Sequence, residues 1–479
     1  MIPIPDCGND PPEGVGSSGK LVIIQDEFFT RARTWRILQS HAPLRFAQGC
    51  GADEGVRPYT SYNFVMRWAI AGLTLLCLLG QVHAQDKTAA GARVVTVPAT
   101  IDHNRVVIRG DFRLADGSTQ TVRVWVDNGN PDLNLSRRLA TLLSLPVKCG
   151  DQECSAPPPV EIVIGGMSVP LTTVTEAKIP LRPVTEAAVL APGMDAEINL
   201  PSSVLRHYDV LIDFVERKFS IGAPGTIHFH GAAGKALVNA QNGLIQVPSQ
   251  IEGKKYNLAL DVGSSISFLS EELFDKLAAA HGDWPRVTGA VGSANMWGAS
   301  EETKWKVMSV ERVQFGPLFL TNVPMVALPT PVVNFFEKRV AMPTLGLVGS
   351  NMLLNYRVGL DYAHSTVFFD LGRTYRFPDF NVVGLILRPE GDGRFTILGV
   401  ADIDGKPSVD GIESGDHLEA VDDLPVSGVT MGQVWSMLGG TPGQEKKLTI
   451  ERGGKEFRVT AKVQHFLGES REDKDGKKK

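Results

Sequence analysis

The sequence predicts a mainly β protein, in which a duplicated β-rich lobe is followed by a smaller α+β domain. Three observations predict this. With 49 Gly and 30 Pro among 479 residues and few long helical patterns, the chain reads as strands joined by turns. Three sequence elements recur in one order, the mark of an internal repeat. The segment after Val382 changes to strand, turn, helix and hairpin. The length fits about three units, and 43% hydrophobic with 21% charged residues describe a chain able to bury a sizeable core. The formal net charge of −5 is spread along the sequence without a basic stripe, so nucleic acid is not an expected partner.

In chain order, residues 1–65 show no periodic pattern and read as an upstream extension. In "MRWAIAGLTLLCLLGQVHAQ" (Met66 to Gln85) a positive residue, a short apolar core and a small-residue exit follow one another. This order predicts a secretory signal peptide over 66–84, with Met66 as the true start and a periplasmic or secreted product beginning at Gln85. A signal anchor is the alternative, and then the segment would be the only membrane contact. Cys7, Cys50 and Cys77 lie in or before this segment. Cys149 and Cys154 remain, close together in an oxidising compartment, and are expected to pair as a local staple. A metal site there lacks further ligands nearby in sequence.

The first lobe spans 94–225 and the second 235–372. "VWVDNGNPDLNLS" (Val124 to Ser136) offers Asp127-Asn128-Gly129 either as a hairpin corner or as half of a catalytic pair. "YNLALDVGSSISFLSEELFDKL" (Tyr256 to Leu277) repeats it: with Asp127 on Asp261, Gly129 falls on Gly263, Leu135 on Leu269, Ser136 on Ser270 and Leu139 on Leu273. Downstream, "LRHYDVLIDFVERKF" and "LLNYRVGLDYAHSTV" align Leu205 with Leu353, Tyr208 with Tyr356 and Asp213 with Asp361. Strand, Gly turn and strand recur between these anchors, at Val160 to Val174 and Val310 to Leu328. Val262, β-branched, suits a tight primed turn poorly. Both copies keep Asp, one variable residue and Gly at a strand end, which suits chemistry needing two adjacent carboxylates.

With these motifs, the sequence resembles the two-lobed aspartic proteases, and more closely the bacterial exported retropepsin-like proteins with a C-terminal PDZ domain, over roughly Val94 to Phe466. "LGLVGSNML" (Leu345 to Leu353) looks like the family's apolar-apolar-Gly strand. The resemblance implies an aspartic-type endopeptidase with Asp127 and Asp261 as its dyad, supported by Asn128, Gly129, Val262 and Gly263, using neither cofactor nor metal on a peptide or protein substrate. Two neighbouring carboxylates share one proton; the ionised one activates a water and the protonated one polarises the scissile carbonyl. This chain departs from the family, which has Thr or Ser between Asp and Gly, where Asn128 and Val262 stand here. It also has Pro201 in the first lobe where the second has Gly349. A catalytically inactive peptide-binding scaffold is therefore the alternative. Small single-lobe relatives dimerise, whereas duplication makes a monomer the expectation.

"TGAVGSANMWGASEETKWKV" (Thr288 to Val307), with Gly292, Trp297 and Gly298, occupies the place of the family's flap and is expected as a mobile lid, or as an ordinary long hairpin. The stretch 382–466 looks like a PDZ domain around "GIESGD", preceded by a linker, Arg373 to Val383. Its expected peptide groove lies between a strand with Phe395, Thr396, Ile397, Leu398 and Gly399 and a helix with Val434 and Leu438, taking a peptide C-terminus or internal strand. Intramolecular packing is the other use of such a domain. His228 and His230 lack a ligand cluster, and Ser264-Ser265 lacks a visible His base. Residues 467–479, ending in "REDKDGKKK" (Arg471 to Lys479) with mixed charge and no apolar residue, read as a solvated tail.

Overall fold

The computed structural model describes residues 94–151, 153–180, 196–372, 380–403 and 405–468. The upstream extension 1–65, the signal segment 66–84, residues 373–379 of the linker and the tail beyond 468 lie outside the described residues. No helix among the described residues is long and apolar enough to cross a membrane.

The mainly β, duplicated-lobe architecture expected from the sequence is the one observed. In the first lobe, β1 (Thr100–Asp102) turns into β2 (Arg105–Arg113), which pairs antiparallel with β3 (Thr119–Asp127). Val122, Val124 and Val126 alternate toward the core, as the two-residue period of a strand requires. Ser136 caps α1 (Arg137–Leu142) by accepting from the Leu139 N–H at 3.0 Å. β4 (Ile198–Pro201) lies parallel to β3 with Pro201 opposite Asp127, and β5 (Asp209–Asp213) follows.

The second lobe repeats this. β6 (Lys254–Asp261) and β7 (Ser267–Ser270) lead into α2 (Glu271–Ala280), capped by Ser270 through the Leu273 N–H at 3.3 Å. β8 (Gly346–Gly349) lies parallel to β6 with Gly349 opposite Asp261, the counterpart of Pro201 opposite Asp127. β9 (Tyr356–Asp361) pairs antiparallel with β5, and Leu211 faces Gly359. The repeat that places Asp213 on Asp361 also places Leu211 on Gly359. A local two-fold axis therefore runs between these residues, at the centre of a six-stranded sheet shared by both lobes.

In the C-terminal domain, β10 (Leu385–Pro389), β11 (Phe395–Val400) and β12 (His417–Val421) form one side of a sheet completed by Glu445–Arg452 and Lys455–Lys462. α3 (Met431–Leu438) has a capping box between Thr430 and Gln433 and buries Met431, Val434, Trp435 and Leu438. One apolar core serves the two lobes across the shared sheet. A second joins Ile266, Phe268, Val291 and Trp305 of the second lobe to Leu385, Phe395 and Trp435. The second lobe's large sheet also continues through Thr288, opposite Asp402, into this domain. Cys149 and Cys154 face each other across a short antiparallel pair and form a disulfide.

Candidate active site

Asp127 and Asp261 end β3 and β6 and meet across the two-fold axis. Each glycine of the Asp-x-Gly pair faces the other lobe's carboxylate: a Cβ on Gly129 would overlap the Asp261 carboxyl, and one on Gly263 would come within 2.5 Å of Asp127 Oδ1. Only a residue without a side chain lets the two carboxyls approach this closely. Both are buried, at 2% and 8% exposure. Asp261 Oδ1 accepts from the N–H groups of Gly263 (2.8 Å) and Ser264 (3.0 Å), while Asn199 Nδ2 donates to Asp127 Oδ2 at 3.3 Å. Burial, then the charge of Asp261, push Asp127 well above the usual carboxylate range, and burial raises Asp261 to about 6.

Asn128 makes the link between the lobes that the sequence left in doubt. Its Nδ2 donates to the Leu260 carbonyl at 2.9 Å, and its Oδ1 accepts from the Val262 N–H at 2.7 Å. One amide thus satisfies a donor and an acceptor on the opposite strand end, and the apolar Val262 side chain is fully buried. The tie is one-sided, made by Asn128 alone, and both of its bonds reach the second lobe. On the far side, Ser350 Oγ donates to the Val262 carbonyl at 2.8 Å.

Arg105, at the start of β2, is buried near both aspartates. Its Nη2 donates to the Met296 carbonyl at 2.8 Å, and its guanidinium lies 5.7 Å from the Trp125 ring centre. Burial lowers its pKa to about 10, opposed by the charges of Glu302, Asp102, Asp127 and Asp261, so it remains a cation near neutral pH. Glu302, also buried, accepts from the backbone N–H of Met296, Trp297 and Gly298 and from Asn295 Nδ2. Burial raises it to about 7. His103, with Nε2 3.0 Å from the Asn295 carbonyl, is held neutral, its pKa lowered to about 3 by burial and then by Arg105.

The stretch expected as a mobile lid is pinned instead. Gly292 and Gly298 are buried, and Trp297 stacks on Phe268 at 6.1 Å. Four donors on the Glu302 carboxylate and the packing of 289–305 against the C-terminal domain account for the difference. The expected peptide-receiving strand is also corrected. β11 lies inside its sheet, where Phe395 and Thr396 pair with β10 on one side and β12 on the other. Phe395 and Ile397 are core residues, as are Val434 and Leu438 on α3, while Leu398 and Gly399 are half-buried. β10 is instead an edge strand, with Lys455–Lys462 at the sheet's other end. Ser264 and Ser265 donate their hydroxyls to the carbonyls of Ile266 and Ser293, which leaves neither arranged as a nucleophile. His228 and His230 are exposed.

Sequence reasoning missed Asn199, Arg105, Asn295 and Glu302. Asn199 had a signal: it stands where the second copy has Leu347, a polar departure inside a repeated buried strand.

Residues 247–352 match the model of a family described as "Aspartyl protease". This segment carries Asp261, the 289–305 loop and β8. Among curated proteins, no match was found. Among solved structures, the aspartic proteinase from Irpex lacteus is similar at 9% identity, with 59% of this chain and 98% of that chain covered and a TM-score of 0.33. A photosystem II D1 C-terminal processing protease is similar at 19% identity over 18% of this chain and 23% of that one, with a TM-score of 0.15.

Proposed function

We propose that the chain is an aspartic-type endopeptidase whose dyad is Asp127 and Asp261. The observation that carries this reading is the mutual approach of Gly129 to Asp261 and of Gly263 to Asp127, which places two buried carboxyls together on a two-fold axis. The family match over 247–352 supports it. Two such carboxyls retain one proton between them. Asp261, with two backbone donors on one oxygen, is the better anion, so the shared proton resides mainly on Asp127. In the reaction Asp261 takes a proton from a bound water as the water oxygen attacks the scissile carbonyl, and Asp127 gives its proton to the carbonyl oxygen. The tetrahedral diol then collapses: a hydroxyl proton passes to Asp127, Asp261 gives the proton it took from water to the leaving nitrogen as the C–N bond breaks, and the dyad regains its one shared proton. No covalent intermediate with the enzyme forms.

We assign the C-terminal domain the role of a PDZ-type module that adds a peptide strand at the edge strand β10 rather than at the interior β11. Export through residues 66–84 with a start at Met66 belongs to the same reading. N-terminal sequencing of the secreted product tests it, since retention of 66–84 contradicts cleavage. The internal two-fold axis supplies both aspartates from one chain, so a monomer suffices. A second reading, a peptide-binding scaffold that does not cut, draws on Val262, which cannot return the tie that Asn128 makes.

Cleavage of a mixed peptide library at pH 5 separates the two. The peptidase reading requires activity that both Asp127→Ala and Asp261→Ala abolish. A folded parent that cuts no more than these variants leaves the scaffold.

A further inference from the structure

The second lobe's loop 289–305 is held at both ends of one amide. Asn295 Nδ2 donates to the Leu387 carbonyl at 3.0 Å, and Asn295 Oδ1 accepts from the Leu387 N–H at 2.9 Å. Leu387 lies in β10, whose other side pairs with β11. These are the two outward backbone bonds that a strand added to this edge would make. A side-chain amide from the same chain therefore stands where a peptide backbone would stand.

The same loop packs against residues beside the dyad. Ser264, whose N–H holds Asp261, has its Oγ 3.3 Å from Met296 Sδ; Ser265 donates to the Ser293 carbonyl at 2.8 Å; and Arg105 reaches the Met296 carbonyl. The first lobe closes the junction from the other side. Asp102 accepts from the Gly432 N–H of α3 at 2.9 Å, and His103 stacks on Trp435 at 6.5 Å.

The closed junction is imperfectly satisfied. Among the described residues, the buried side-chain polar atoms without a hydrogen-bond partner are His103 Nδ1, Arg105 Nε and Nη1, Trp125 Nε1, Ser293 Oγ and Trp435 Nε1 here, with only Asp209 Oδ1 and Tyr362 OH elsewhere. Groups of this kind find partners in water wherever a surface is exposed to it.

We propose that Asn295 is an intramolecular latch: it occupies the strand-receiving edge at Leu387 and so holds loop 289–305 over Asp127 and Asp261. An extended peptide strand on β10 and a closed dyad exclude one another. The proposal rests on the peptidase reading only for its consequence on cleavage; the latch itself is read by hydrogen exchange.

Two variants of the full chain test it. Asn295→Ala removes both bonds. A Thr303→Cys, Gly399→Cys pair can lock the loop, because a Cβ on Gly399 lies 3.7 Å from the Thr303 Cβ, close to the spacing of a disulfide. Asn295→Ala is expected to raise amide exchange at Leu387 and across 289–305 at least tenfold. A fluorescent pool of random decapeptides, made with both dyad aspartates changed to Ala to prevent cutting, is expected to bind the Asn295→Ala form and not the oxidised lock. Reduction of the lock should restore parental exchange, with the parent under the same reductant controlling for Cys149–Cys154.

Unchanged exchange in Asn295→Ala overturns the latch. So does equal pool binding by the open and locked forms, or absence of binding to the open form. With the dyad intact, cleavage of the library should fall at least tenfold in the oxidised lock. If exchange and binding behave as expected but no form cuts, the latch stands and the peptidase reading fails.

Discussion

At the scale of single residues, the account turns on how a few polar groups are satisfied. Asn128→Ala leaves the Leu260 carbonyl and the Val262 N–H unpaired between the lobes, and should destabilise the protein by about 2–4 kcal/mol in chemical denaturation. Asn128→Thr, whose hydroxyl can both donate and accept, should recover part of this loss. The raised carboxyls set a pH dependence of the opposite sense to a salt-bridged Asp. A carboxyl whose folded value lies above its unfolded one binds protons more tightly in the folded state, so its stabilising contribution is present below about pH 4 and lost as pH rises through about 6. Asp261→Asn should therefore narrow its stability deficit, or gain stability, relative to the parent as pH is raised from 4 to 8. Denaturation midpoints at the two pH values check this; a constant difference contradicts it. The aspartates were legible because each precedes a glycine by two residues in both copies. The buried partners were not, since nothing in "DHNRVV" or "SANMWGASEE" distinguishes a charge destined for the interior from one facing solvent.

At the scale of elements, the repeat made most of the fold legible. The register that placed Ser136 on Ser270 found two helix caps, and the one that placed Asp213 on Asp361 found two strands crossing on the axis. Edge and interior strands of the C-terminal domain were not legible, because an apolar run such as "RFTILGV" suits a strand paired on both sides as well as one at an edge. The loop 289–305 looked loose by its small residues, but its order comes from a buried carboxylate of the loop itself, Glu302. Glu302→Ala should leave three N–H groups without their acceptor and cost about 2–4 kcal/mol, with faster proteolysis within 289–305 as the local readout. Gly129→Ala tests the two strand ends. Its Cβ would displace the Asp261 carboxyl, and library cleavage should fall at least a hundredfold, on the order expected when reacting groups shift by about an ångström.

At the scale of the whole molecule, the second lobe and the C-terminal domain share a core that includes Phe268, Trp305, Leu385 and Trp435. They should unfold together, so calorimetry should show one transition for both, and a separate low-temperature transition assigned to 382–466 would contradict the shared core. The shared six-stranded sheet and the facing glycines give this chain, within one polypeptide, two carboxyls on one axis. Two carboxyls so placed titrate as a pair, and the pH–rate profile of library cleavage by the full chain reads that pairing. The account predicts activity that rises as pH climbs through about 6, where Asp261 ionises to the anion that activates water, that falls at higher pH where Asp127 gives up the shared proton, and that is absent from Asp127→Ala and Asp261→Ala at every pH. Cleavage that persists in either variant, or a folded parent that cuts nothing from pH 3 to 7, would contradict it.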